Sequence, residues 1–276
     1  MLRKDSGDHI SIKMTVRSFI CYDMRMKPKH RRSEISDILR QHGRVSVELL
    51  AARFDASVET IRRDLGVLSA AGKLQRTHGG AILPALIGED TFQKRMRENV
   101  SAKRIIAQKA SELISPGDTL FIDAGSTTLM LAEELVHIDK LTVITNSTQI
   151  AGILGSQKSI QLFLIGGTYN PESSAAYGQM AIEQLGRFHA DLAFVTIGGI
   201  DVAGGAMDFN LQEAELARVM IARAGKAVVL ADAVKFNRTA TFEVASHAEI
   251  DYFVSEKVPD SMLMNAMLKA GISVVA

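Results

Sequence analysis

Seven short apolar runs are spread over residues 119–276, and helical patterns lie between most of them. The runs are "TLFID", "LTVIT", "IQLFLIG", "DLAFVTIGG", "KAVVLAD", "IDYFVS" and "ISVVA". Each is nearly continuous in apolar residues rather than alternating, so both faces of such a strand must be covered. Segments 127–136, 147–155, 179–187, 211–224 and 259–270 carry helical apolar spacing. This alternation predicts an α/β domain, a mostly parallel sheet with helices on both faces.

Ligands of open parallel sheets bind beyond the carboxyl ends of the strands. The residues at those ends are small and polar. "TLFI" is followed by Asp123, Ala124, Gly125, Ser126, Thr127 and Thr128. Asn146, Gly167, Gly199, Asp232 and Lys235 follow later runs, and Glu213 opens a helical segment. In the 123–128 loop, Gly125 would let the backbone approach a ligand and the hydroxyls would add donors. The next helix aims its free N–H groups at the same place, a phosphate cradle. A Ser/Thr-rich N-cap without a ligand has the same pattern. No Gly-Lys-Ser/Thr follows, which disfavours a nucleotide-hydrolysing loop. Lys235 adds a cation, and Asp123, Asp232 and Glu213 are acceptors for sugar or glycerol hydroxyls. Asp232 as a loop cap and Lys235 as a surface charge stay open as alternatives.

The net charge of +1 conceals an asymmetry. Residues 1–84 hold 16 Lys and Arg against 9 Asp and Glu, whereas residues 85–276 hold 16 against 22. A basic front on an acidic remainder implies two domains with different partners, and a phosphate backbone fits the front. A basic surface with no polyanion partner is the alternative. The single cysteine, Cys21, excludes an intrachain disulfide and a Cys-based metal cluster. No apolar run approaches the roughly 20 residues that span a bilayer. No apolar signal core follows Arg3 and Lys4. The expectation is a cytoplasmic protein with no cofactor, metal or catalytic residue. Residues 1–26 are expected to be a disordered extension or a start-site artefact.

Within the basic part, "RRSEISDILRQHG" and "SVELLAARF" read as short amphipathic helices. Ser46 is the expected N-cap of the second, with Leu49, Leu50 and Phe54 facing inward. Ser57 caps a third helix whose core stripe is Val58, Ile61, Leu65 and Leu68. Three helices with a tight break before the last make a helix-turn-helix, which enters the major groove with the N-terminus of its third helix. Ser57, Thr60, Arg62 and Arg63 occupy that leading half. Arginine there takes phosphate or guanine O6/N7. "AGKLQRTHGGAILP" reads as a two-stranded wing with Lys73, Arg76 and His78 near phosphates. Asp64 is expected to hold a neighbouring arginine rather than touch DNA.

The string "SVETIRRDLGVLSAAGKLQRTHGGAILP" resembles the DeoR family of bacterial winged-helix regulators, matching its T-I-R-R-D-L … H-G-G-A run at Thr60 through Ala81. The resemblance continues through Asp123–Thr128, Thr145-Asn146, Gly166-Gly167 and "ADAVKFNR". It implies a winged helix-turn-helix domain over 27–84, a linker over 85–97 and a sensor domain over 98–276 similar in fold to ribose-5-phosphate isomerase. Family members bind phosphorylated sugars or related metabolites. "GGIDVAGGAMDFNLQEAE" resembles the glycerol-3-phosphate repressor branch, whereas Ala124 and Ala233-Val234 replace residues that are often polar in the family. The implied function is an operator-binding repressor, a homodimer or homotetramer, whose DNA affinity responds to a phosphorylated effector. A sugar-phosphate isomerase carrying a DNA-binding module, and a nonspecific chromosome-binding protein, are the competing readings.

Overall fold

The computed structural model describes residues 27–42, 44–70, 73–77, 79–82 and 91–276. The expected extension 1–26 and His78 lie outside the described residues.

The head begins with α1 (Pro28–His42), whose proline stands at a first-turn position where no N–H is needed. β1 (Arg44–Ser46), α2 (Val47–Arg53), α3 (Val58–Ala70), β2 (Gln75–Thr77) and β3 (Gly80–Ile82) follow. Ser46 caps α2, accepting from the Leu49 N–H at 3.1 Å. Asp55, at φ 45°, turns the chain sharply between α2 and α3. Ile35, Leu39, Leu50, Ile61, Leu65 and Leu74 fill one small core. Two inward expectations fail. In the two-turn α2 the buried residues are Val47 and Leu50, which leaves Leu49 on the outer side, 55% exposed. Val58 begins α3 beyond the edge of the core and is 37% exposed. The wing gains a third strand, since β3 pairs antiparallel with both β2 and β1. Gly80 is required there, because a Cβ would overlap the Val45 carbonyl.

The body starts with α4 (Phe92–Arg97) and α5 (Val100–Ser111). Seven strands then form one parallel sheet. They are β4 (Thr119–Ile122), β5 (Leu141–Thr145), β6 (Ile160–Leu164), β9 (Ala190–Thr196), β12 (Ala224–Leu230), β14 (Tyr252–Val254) and β15 (Ser273–Val275). Their order is β15-β14-β12-β9-β4-β5-β6. All seven expected strands are present, and α6 (Ser126–Leu135), α7 (Thr148–Leu154), α8 (Gln179–Leu185), α9 (Leu211–Ala222) and α10 (Ser261–Lys269) stand at the five expected helical segments. Alternate strand residues feed two cores. Phe121, Val195 and Val229 join one, and Leu120, Ile122, Phe194, Val228 and Leu230 the other. That is why the runs are continuous in apolar residues. Two smaller antiparallel sheets complete the body: β7 (Thr168–Asn170) with β8 (Ala175–Tyr177), and β10 (Gly199–Asp201), β11 (Gly205–Asp208) and β13 (Phe242–Ala245).

The chain builds outward from β4 to β5 and β6, then returns to β9 on the other side of β4. The sheet therefore has its topological switch point between β4 and β9, where crevices for ligands open.

Candidate functional site

On the head, Ser57 is occupied as a cap. Its Oγ accepts from the Thr60 N–H at 3.1 Å and lies 2.8 Å from the Thr60 hydroxyl. Arg62 and Arg63 are exposed, off the buried stripe of α3. With Arg76 of β2 they line one open concavity along α3, floored by Gly66. The Arg76 guanidinium comes within 4.0 Å of where a Gly66 Cβ would stand. A methyl there would touch the wing arginine at ordinary van der Waals distance. Lys73 is exposed ahead of β2 and is not part of this concavity. Asp64 faces the protein. Its Oδ2 lies 2.6 Å from Arg31 Nε, a buried pair, and its Oδ1 3.6 Å from Arg32 Nε.

In the body, Asp123 holds the switch point together. Its Oδ2 accepts from the Thr196 N–H at 2.6 Å and from the Thr196 hydroxyl at 2.8 Å. Its Oδ1 lies 2.8 Å from the Thr128 hydroxyl, which in turn accepts from the Gly125 N–H at 2.9 Å. The glycine serves this packing. A Cβ on Gly125 would overlap the Thr196 side chain. Thr128 is fully buried and works as a cap.

A cavity opens beside this stitch. Ser126 and Thr127 at the start of α6, Thr196 at the end of β9, and Asp232, Lys235 and Arg238 after β12 line it, with Arg95, Glu98, Asn99 and Lys103 opposite. Four cations, Arg95, Lys103, Lys235 and Arg238, face two carboxylates, Glu98 and Asp232. The lining thus has a surplus of two positive charges. Asp232 Oδ2 accepts from Asn99 Nδ2 at 2.8 Å, while its buried Oδ1 has no partner among the described residues. Burial pulls the Lys235 ammonium down to about 8, with Arg238 pushing the same way and Asp232 opposing. Burial lowers Lys103 as well.

Deeper in, Asp123, Asn146, Tyr177, Thr196 and Glu213 surround a second, acidic recess. Burial raises the carboxyls of Asp123 and Asp208, and pushes Glu213 up to about 7, with Asp208 adding to the rise. Asn146 donates to the Ala176 carbonyl at 3.0 Å and keeps a buried Oδ1 unpartnered among the described residues. An outer cleft shares Arg95 with the first space and Glu213 with the second, and is walled also by Asn170, Ser173, Phe209 and Asn210. One of these spaces is therefore cationic, and the others offer hydroxyl, amide and carboxyl groups whose acids burial holds upward.

The structure brings Asp123, Ser126, Thr127, Asn146, Glu213, Asp232 and Lys235 of the expected set to these walls. Gly167 and Gly199 do not line them. A Cβ on Gly167 would overlap the Tyr177 carbonyl, and one on Gly199 the Arg238 carbonyl. These glycines let chains cross, and Gly199 thereby lets the segment bearing Arg238 pass close. Arg95, Asn99, Lys103, Thr196, Tyr177 and Arg238 were missed. Only Arg238 had a signal, since it closes the "ADAVKFNR" string. Residues 92–97, expected in the linker, form α4, whose Phe92 is buried in the body's core.

Comparison with known proteins accords with both halves. A DeoR-like helix-turn-helix domain matches residues 31–85, and a DeoR C terminal sensor domain matches residues 98–257. The HTH-type transcriptional regulator GolR of Listeria innocua is 32% identical over 90% of this chain and 98% of its own. The glycerol-3-phosphate regulon repressor of Escherichia coli K12 is 30% identical over 88% of this chain and 96% of its own. Among solved structures, a D-ribose-5-phosphate isomerase in complex with phospho-erythronic acid aligns at 17% identity with a TM-score of 0.37, covering 54% of this chain and 55% of that one. Helix-turn-helix, wing and sensor body together place the chain in one lineage: it belongs to the DeoR family of transcriptional regulators.

Proposed function

We propose that this protein is a repressor of a carbohydrate or polyol catabolic operon, acting in the cytoplasm as a homodimer or homotetramer. Arg62, Arg63 and Arg76 grip operator DNA, and the body binds a phosphorylated metabolite that changes the strength of that grip. The observation that carries the effector half is the surplus of two positive charges at the switch point. A phosphate dianion matches it, accepting from Lys235, Arg238 and the Ser126 and Thr127 hydroxyls at the start of α6. The rest of the molecule, rich in hydroxyls, extends toward Asn146, Glu213 and Asp123. A three-carbon polyol phosphate such as glycerol 3-phosphate fits this reading, as does a sugar phosphate.

A thermal-shift screen against phosphorylated three- to six-carbon metabolites tests it. A ligand raises the melting temperature through mass action, and Lys235→Met abolishes the shift. No shift with any phosphorylated compound would refute the effector site. Gel shifts with Arg62→Ala and Arg63→Ala test the head. Each lost base or phosphate contact weakens operator binding by about 1–3 kcal/mol. Incubation with ribose 5-phosphate yields no ribulose 5-phosphate if the body is a sensor rather than an isomerase.

A further inference from the structure

The short helix α4 is built into the cavity wall at three points. Arg95 lines both the cationic cavity and the outer cleft. The buried Lys103 ammonium caps the end of α4, donating to the carbonyls of Arg95 and, at 3.0 Å, Glu98. Asn99, at φ 53°, breaks α4 from α5 and donates to Asp232 Oδ2 at 2.8 Å. Away from the cavity, Phe92 is the anchor of α4, whereas Gln93, Lys94 and Arg97 are exposed. Only residues 83–91 separate the last wing strand from this helix.

We propose that Arg95 is a ligand of the bound phosphorylated metabolite, and that α4 carries the occupancy of the cavity to the DNA-binding head. The proposal rests on the reading of the cavity as an anion site. Arg95 lines both the cavity that holds Lys103 and Lys235 and the cleft that Glu213 walls, close enough to influence the titration of these groups and of Asp123 and Asp208. A doubly charged phosphate lodged near Lys235 gives the guanidinium a new partner in the cationic cavity, in a two-pronged geometry that an arginine matches. Because Arg95 is held to Lys103 through its own carbonyl, a shift of the side chain moves the end of α4. Its start is tied through the short connecting segment to the wing. Two ligands are coupled when one changes the state that the other prefers, and α4 is the described element that belongs to the effector site while adjoining the head in sequence.

The test uses the full-length protein and a DNA duplex selected from a random library by the wild type. The probe is whichever of inorganic phosphate, sn-glycerol 3-phosphate and fructose 6-phosphate most raises the wild-type melting temperature. In hydrogen exchange the probe slows peptides covering residues 92–103. In gel shifts it changes the wild-type DNA Kd by about fivefold or more. Arg95→Met binds the probe about tenfold more weakly and shows no probe-dependent change of DNA Kd even at saturating probe. Arg97→Met, on the exposed side of the same helix, behaves as wild type. Should Arg95→Met lower the melting temperature, Arg95→Lys retains the charge without the fork and loses part of the coupling.

Unchanged exchange over residues 92–103, or a full DNA response in saturated Arg95→Met, overturns the proposal. If Lys235→Met has meanwhile lost the probe, the cavity reading stands and only the role of α4 falls. If no probe binds the wild type, or Lys235→Met binds it normally, both fall together.

Discussion

Asp64 sits on the helix meant for DNA, yet its carboxylate points inward to Arg31, 33 residues earlier. Both side chains are nearly closed to solvent. Removing the carboxylate takes away this buried partner of Arg31 and the longer contact with Arg32. Asp64→Ala should therefore lower the stability of the head by about 1–3 kcal/mol, measured by urea denaturation. Glu213 makes a pH-dependent counterpart in the body. Its folded carboxyl is held up to about 7, against an ordinary 4.5. Between those values the folded form keeps a proton that the unfolded chain gives up. The contribution of Glu213 to stability is thus complete below its ordinary value and is lost as the pH rises through about 7. Glu213→Gln should flatten the dependence of melting temperature on pH across that window and melt above the wild type at alkaline pH. An unaltered pH profile in the variant would contradict this. Lys235, held down to about 8, sheds its ammonium charge as the pH rises past that value. Together the two groups predict that phosphate-ester affinity falls from neutral to alkaline pH, as titration calorimetry can measure.

At the scale of elements, two glycines have a mechanical role that substitution would expose. Gly80→Ala sets a methyl against the Val45 carbonyl where β3 crosses β1. Gly125→Ala sets one against Thr196 and pries at the Asp123 stitch. Each should cost about 1–3 kcal/mol, the usual penalty for overpacking, with the loss read from urea denaturation. The second should also weaken effector binding, since Thr196 lines both inner spaces. The large elements were legible in the sequence for a physical reason. A strand buried on both faces must be continuously apolar, and the helices between such strands keep their own period. The small sheets were not legible. "TYN" and "AAY" form a hairpin of three-residue strands, too short to show any period. Leu49 and Val58 were misread because the apolar residues of a short helix outnumber the positions its core can take. Charged residues before β4 were hidden differently: Arg95 falls in the expected linker and Lys103 carries no motif, yet with Asn99, which breaks α4 from α5, both line the cavity.

Across the whole molecule, charge is sorted by task. The basic front carries the DNA-binding helices, while the acidic remainder gathers four cations around one cavity. Among the described residues no helix is long and apolar enough to cross a membrane. A protein that holds DNA through phosphate contacts releases counterions on binding, so its affinity falls linearly in a plot of log Kobs against log salt. Replacing a phosphate-contacting Arg62 or Arg63 by alanine should reduce that slope by about one. A base-reading arginine would instead relax sequence preference at one position. A salt series with the two variants separates these roles.

The rim formed by the β7–β8 hairpin and the residues after β11 comes from other parts of the chain than the strand ends that hold the cations, and it meets them where the Arg238 guanidinium lies over the Phe209 ring, 4.5 Å from its centroid. Exchanges in the β7–β8 hairpin can reshape the polar end of the pocket and leave its cationic anchor in place, whereas an exchange at Phe209 reaches Arg238. With the cavity in its proposed role, a lineage built this way can change its diet of metabolites by editing a few surface loops and still inherit one way of recognising a phosphate among them.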